Sequence, residues 1–308
     1  LICYNKFLGE WLNAHFDQLE DSLRPDYVGT FHNFMKDLLR QHGIDEKVSQ
    51  EDTKEYFEEK LPNDALSLLL ELDEPRFDCL IIDEAQDLVR ENYLDVMDAS
   101  LSGGLKRGSW RFFGDFQHQA IYSGGAEGDT LIEMLEDRSS FGRFRLKINC
   151  RNTKPICDEM KIITGLESHM RDIRHAEGPP VKFTTYKDDE EQKLKLDETL
   201  KALCEQGVPK KKITILSAKR RDRSVISLFS EDEIADYNIE LGDRIAFSTI
   251  HGYKGLENSA IILVDVDNFG EEQLMYVALS RARSYLHIFC TRFAQKEYYS
   301  LVFKEGDS

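Results

Sequence analysis

The chain has no apolar run of membrane-spanning length, and its N-terminus lacks the charged-then-apolar profile of a secretory leader. Both absences set the expectation of a cytoplasmic protein with no membrane partner. CxxC spacing is missing as well. The six cysteines, Cys3, Cys79, Cys150, Cys157, Cys204 and Cys290, are scattered, so neither a zinc site nor a disulfide framework is expected. Several sit in apolar stretches, where a thiol behaves as a small hydrophobe. Positive charge is also scarce. Lys and Arg total 40 against 57 Asp and Glu, a formal net charge of −17, and a surface of that sign does not attract nucleic acid in general. Any phosphate-tracking groove has to be a local basic or polar strip on an acidic body.

What is present fits two ordinary domains: 308 residues, 41% hydrophobic and 31% charged, describe a globular protein able to build two cores. The most informative stretch is 77–87, where the apolar run Leu80-Ile81-Ile82 ends abruptly in Asp83, Glu84 and Asp87. The run is too short for a typical helix and follows Pro75, which predicts a parallel strand covered on both faces. Ligands of open α/β sheets bind at such strand ends. Adjacent acids there suit nucleotide hydrolysis: Asp83 is assigned to the water shell of Mg²⁺, and Glu84 to orienting and deprotonating an attacking water. The plain alternative is a solvated acidic loop after a core strand.

Strands and helices alternate along the rest of the chain. Residues 1–6 read as a strand leading into a helix with Phe7, Leu8, Trp11, Leu12 and Phe16, and residues 27–32 as a second short strand before a helix with Phe34, Met35, Leu38 and Leu39. Aromatic and hydroxyl groups at such tips can meet a nucleic-acid backbone, although Phe31 by itself reads as core. Residues 42–74 are acidic and leucine-rich, a small helical insert. A further strand stops at Gly114-Asp115, and Gln119 after it can bond a terminal phosphate or the attacking water. Residues 144–148 read as a strand ending the first domain, with Arg151 just beyond offering a planar cationic fork to phosphate, or else a surface ion pair. Strands are also expected at 181–186, 213–216, 244–249, 260–266 and 286–290. A helix is expected over 188–206, and another over 271–283 with Arg281 and Arg283 in its last turn. The segment from Ser248 to Glu257 combines a hydroxyl, an imidazole and two glycines, which suits close backbone approach by a ligand.

Taken in order, Asp83-Glu84-Ala85-Gln86-Asp87, Gly114-Asp115 with Gln119 to Tyr122, Asn149-Cys150-Arg151-Asn152, Thr249-Ile250-His251 with Lys254-Gly255-Leu256-Glu257, and Tyr276 to Arg283 resemble the motifs of superfamily 1 helicases of the UvrD and Rep type. Cys3-Tyr4-Asn5-Lys6 and Gly29-Thr30-Phe31-His32 resemble that family's two early DNA-contacting motifs. The resemblance implies an α/β protein of two tandem RecA-like domains with parallel sheets flanked by helices. The first would be 1–145, truncated at its N-terminus and carrying the insert near 42–74, and the second 146–308. It implies ATP and Mg²⁺ as cofactors and single-stranded nucleic acid, DNA in the first place, as partner. By that analogy Asp83 holds the metal, Glu84 is the catalytic base, Gln119 senses the γ-phosphate, and Arg151 and Arg281 are arginine fingers. Gly255 and Glu257 would bind the nucleotide, Glu257 at the ribose. Tyr4, Asn5, Thr30, Phe31, His32, Tyr122, Thr249 and His251 would line the nucleic-acid path.

Departures from the family narrow the expectation. No GxxxxGK[ST] phosphate loop occurs in the chain. Residues 1–308 are therefore expected to be a piece of an ATP-dependent helicase that alone binds ATP poorly and does not turn it over. The alternative is a non-hydrolysing helicase-like scaffold or regulatory module. Ser123-Gly124-Gly125 stands where the family has Arg-Trp-Arg, which removes base stacking near Tyr122, and the motif spacing leaves no room for large accessory domains. A nuclease using Asp83 and Glu84 on metal ions lacks the further clustered acids that a two-metal site needs.

Overall fold

A computed structural model of the chain describes residues 1–44, 53–72, 76–116, 128–146, 149–165 and 177–306. It separates into two compact units, Leu1–Phe144 and Arg145–Ser308. Both are α/β with all-parallel sheets flanked by helices. No helix among the described residues is long and apolar enough to cross a membrane.

In the first unit β1 (Ile2–Cys3) leads into α1 (Lys6–Phe16), and β2 (Gly29–Thr30) into α2 (Phe31–Gln41). Each junction is a side-chain cap: Asn5 Oδ1 accepts the Leu8 N–H at 3.2 Å, and Thr30 Oγ1 accepts the Asn33 N–H at 3.2 Å. Gly9 lets α1 lie close on β1 and β2, because a Cβ there would stand 3.0 Å from Thr30 Cγ2. A helical segment follows, from α3 (Thr53–Glu55) through a π-helical turn at Tyr56–Lys60 into α4 (Leu61–Leu72). Then come β3 (Cys79–Ile82), α5 (Glu91–Ser100), the short α6 (Gly104–Arg107), β4 (Ser109–Phe112) and α7 (Gly128–Arg138), and the strands take the order β2-β1-β3-β4.

The described part of the insert joins the main core. The apolar stripe of α2, Phe31, Phe34, Met35, Leu38 and Leu39, shares one cluster with Leu61, Ala65 and Leu69 of α4 and Tyr93, Leu94 and Met97 of α5. Leu80 and Ile82 of β3 face the same cluster, whereas Cys79 is exposed and Ile81 is 39% exposed. The strand covered on both faces is thus corrected to one covered on a single face among the described residues. Among the described residues the helices α2, α4 and α5 cover Leu80 and Ile82, while α1 packs on β1 and β2.

In the second unit α8 (Lys154–Thr164) precedes β5 (Lys182–Tyr186), α9 (Asp189–Glu205), β6 (Ile213–Ser217), β7 (Ile234–Asp236), β8 (Ile245–Thr249), β9 (Asn258–Val266), α10 (Glu272–Leu279), β10 (Ala282–Thr291) and α11 (Arg292–Gly306). The sheet order is β5-β10-β9-β6-β8-β7. Its inner strands are almost continuously buried, the pattern of a parallel sheet with both faces covered. Two expectations fail here. Residues 144–146 form no strand, with Phe144 95% and Leu146 93% exposed; residues 147–148 lie outside the described set. The helix expected over 271–283 stops at Leu279, and Arg283 belongs to β10. Ala282 starts that strand by pairing with Asn258 of β9.

Among the described residues each unit holds a histidine whose surroundings favour the neutral ring. In the first, His32 Nε2 lies 2.8 Å from Tyr93 Oη, which donates to the Phe57 carbonyl at 3.0 Å. Burial, then the nearby Lys36 and Arg90 charges, push its pKa down to about 4. In the second, His287 sits between Thr184 Oγ1 at 2.8 Å and Tyr285 Oη at 3.2 Å, and burial with Lys182 nearby also lowers it to about 4. An unfolded histidine takes its proton near pH 6.5, so between there and about pH 4 the unfolded chain binds more protons. The stability that each neutral ring contributes is complete above pH 6.5 and declines on acidification through that window, by at most about 1.4 kcal/mol per pH unit each. Urea midpoints measured from pH 7 to 4.5 should fall along this slope. H32N and H287N should flatten it; an unchanged slope in both variants sinks the assignment.

Candidate functional site

In the first unit the acids stand where the sequence predicted, at the carboxyl end of β3. The Asp83 N–H donates to the Ile2 carbonyl at 3.0 Å, and the Glu84 N–H to Asp83 Oδ1 at 2.9 Å. Glu84 takes a left-handed backbone, φ 52° and ψ 43°. That conformation costs an ordinary residue about 1 kcal/mol, and the surroundings enforce it. The Ala85 N–H donates to the Phe113 carbonyl at 2.8 Å, locking the turn to the end of β4. Gln86, fully buried, is the clamp: its Nε2 donates to Glu84 Oε2 at 2.6 Å, and its Oε1 accepts the Asp115 N–H at 3.1 Å. Gly114 is required for this fit, since a Cβ there would stand 2.4 Å from Gln86 Oε1. Gln86 was legible only as a polar residue two places after Glu84. The acid pair also reaches sideways, adding to burial in pushing the Cys3 thiol up to about 12.

In the second unit three segments distant in sequence are laced together. Asn149 Oδ1 accepts the N–H groups of Arg151 at 2.9 Å and Asn152 at 3.1 Å. Arg151, exposed, donates through Nε to Glu257 Oε2, while Glu257 Oε1 lies 3.5 Å from Arg283 Nε. Binding at the Nε edge leaves the terminal nitrogens of Arg151 with no partner among the described residues. Arg281 differs. It is wholly buried, donating from Nε to the Val277 carbonyl at 2.9 Å, from Nη1 to the Leu256 carbonyl at 3.2 Å and from Nη2 to Ser280 Oγ at 2.8 Å. Gly255, at φ 83°, makes the turn that sets Leu256 and Glu257 in place.

Parallel topology divides the second unit's predicted residues between two ends of its sheet. Glu257 immediately precedes β9 and Arg281 immediately precedes β10, so both stand at the amino ends of those strands, and Arg151 joins them there. Thr249 is the last residue of β8 and His251 lies just beyond that carboxyl end instead. Thr249 Oγ1 accepts the Gly252 N–H at 3.1 Å; His251 is exposed, and partial desolvation lowers its pKa.

Of the predicted nucleic-acid contacts in the first unit, Phe31 is enclosed in the core, and Asn5 and Thr30 spend their side chains as helix caps. Tyr4 and His32 are half-buried and meet edge to face, 5.4 Å between ring centroids. Gln119 and Tyr122 lie outside the described residues. Among the described residues no three His, Cys, Asp or Glu side chains gather as a metal cage. Asp83 and Glu84 are the carboxylates at the β3 tip that could hold a divalent cation, and a single carboxylate ligand with water and phosphate is the usual manner for Mg²⁺.

No protein-family model matches the chain, and no curated protein matches it either. Solved structures similar to it include the C-terminal domain of a possible DNA helicase from Lactobacillus plantarum WCFS1, with TM-score 0.37 and 18% identity over 49% of this chain and 95% of that one. The PRRSV helicase has TM-score 0.42 and 14% identity over 94% of this chain and 51% of its own. Arterivirus nonstructural protein 10, a helicase in complex with DNA, has TM-score 0.40 and 16% identity over 70% of this chain and 40% of its own. The chain thus spans about half or less of the two viral helicases, and likeness at these identities is one of fold alone.

Proposed function

We propose that the chain is the core of an ATP-dependent helicase or translocase of the UvrD and Rep type, with two RecA-like domains that move along single-stranded DNA. The observation that carries this reading is the lacing of 149–152, 256–257 and 280–283 into one hydrogen-bonded group. The order of motifs singles out these segments by sequence alone, and the second unit joins them independently.

In this reading Asp83 holds the metal, Glu84 takes the proton of the attacking water, and Gln119 reads the terminal phosphate. Arg151 spreads the charge of the transferring phosphoryl group; Arg281, expected to do the same, is enclosed in this structure with its guanidinium on the Val277 and Leu256 carbonyls and backs that site, and Gly255 and Glu257 hold the rest of the nucleotide. Bound Mg²⁺ supplies charge neutralisation at the phosphates. Tyr4, His32, Tyr122, Thr249 and His251 meet the strand, with Asn5, Thr30 and Phe31 shaping its path from behind. A second reading, a non-hydrolysing helicase-like scaffold, is favoured by the lack of GxxxxGK[ST] within the 308 residues.

Hydrolysis of ATP with and without oligo(dT) separates the two. The native protein is expected to turn ATP over faster with oligo(dT), and residues 1–308 alone to bind ATP weakly without turnover. DNA binding by the native protein with no turnover would establish the scaffold instead.

A further inference from the structure

Asn152 received no role from the sequence, yet its side chain is 6% exposed and saturated with partners. One amide hydrogen goes to the Ser280 carbonyl at 3.1 Å and the other to the Ala282 carbonyl at 2.6 Å. Its Oδ1 accepts from Asn149 Nδ2 at 2.9 Å, which fixes the orientation of the amide. The two acceptors are the carbonyls on either side of Arg281. Asn152 is also the residue next to Arg151.

We infer that Asn152 is a positioning residue that sets Arg281 in register with Arg151 by gripping the backbone on both flanks of Arg281. A second bridge closes the ring. Arg281 Nη1 donates to Leu256, and the neighbouring Glu257 binds Arg151. Arg281 is thereby held at its backbone by Asn152 and at its guanidinium by the 256–257 turn. The grip is specific to an amide of this length: aspartate would turn oxygens toward both carbonyls, and serine has one hydrogen for two acceptors. That the aligned pair serves phosphoryl transfer rests on the function proposed above; the alignment itself does not.

The test uses the full chain and the exchange of the Arg281 Nε–H with solvent, read by ¹⁵N NMR and assigned by its loss in R281K. N152A is expected to speed that exchange about tenfold, the worth of roughly one net hydrogen bond, and N152S by less. Should N152A fail to fold, N152S carries the measurement. Unchanged exchange in a folded variant overturns the inference. In the native protein N152A should lower kcat with little change in the KM for ATP, and N152A combined with R281A should be no slower than R281A alone. Additive losses would make Asn152 merely structural, while absence of any ATPase activity strikes the proposed function and leaves the exchange result to decide the positioning role.

Discussion

Replacing Glu84 by glutamine in the native protein is expected to cut oligo(dT)-stimulated ATP hydrolysis by about 10²- to 10⁴-fold, the range a general base contributes. The substitution is close to isosteric, and the side-chain oxygen that remains can still accept from Gln86 Nε2, which binds Glu84 Oε2 at 2.6 Å. The left-handed backbone at this position is imposed by the Ala85 to Phe113 hydrogen bond and by buried Gln86, neither of which the change removes. Folding should therefore be preserved and only proton acceptance lost. Asp83→Asn offers the contrast: its deficit should shrink as Mg²⁺ is raised, because a weakened ligand is offset by mass action, whereas the Glu84→Gln deficit should not. Turnover retained by Glu84→Gln would refute its role as base.

The second large effect separates two arginines that the sequence treated alike. Arg151→Ala is expected to reduce turnover by about 10³-fold, the lower end of what an arginine finger supplies, with almost no loss of stability. Its ion pair with Glu257 is more than a third exposed on both sides, and such pairs contribute about 1 kcal/mol at most. Arg281→Ala should cost stability as well. It removes a fully buried guanidinium and leaves the Leu256 carbonyl without that donor, a loss on the order of 3 kcal/mol. Thermal unfolding run beside steady-state kinetics distinguishes the two cases. An equal drop in melting temperature for both variants would remove the distinction between an exposed and an embedded arginine.

Local signals in the sequence located most elements, since hydrophobic spacing and caps act over a few residues. The stripe of α2 and the apolar run of β3 were both readable in this way, as was the acid pair at the β3 tip. Errors arose where partners are distant. Arg281 carries a charge that reads as surface, but besides the local Val277 carbonyl and Ser280 hydroxyl it is anchored to the Leu256 carbonyl, 25 residues away. Asn152 was silent for the same reason, its acceptors lying 128 and 130 residues along the chain. The single covered face of β3 escaped notice because a fully apolar run does not alternate, whichever of its residues a helix happens to cover. The helix drawn through Arg283 ran too long because Ala282 pairs with Asn258 in a neighbouring strand, a contact that helical periodicity cannot register.

The run from Ile250 to Glu257 starts at the carboxyl end of β8 and finishes at the amino end of β9, crossing the full depth of the second sheet. Ile250, Tyr253, Lys254 and Leu256 are buried along it, and Tyr253 bonds both the Thr249 carbonyl and the Glu257 carbonyl. Arg151 is attached at one tip of this span, through Glu257, and Thr249 stands at the other. The arginine-bearing end of the second sheet and its opposite end are therefore joined by one short, largely buried segment of chain.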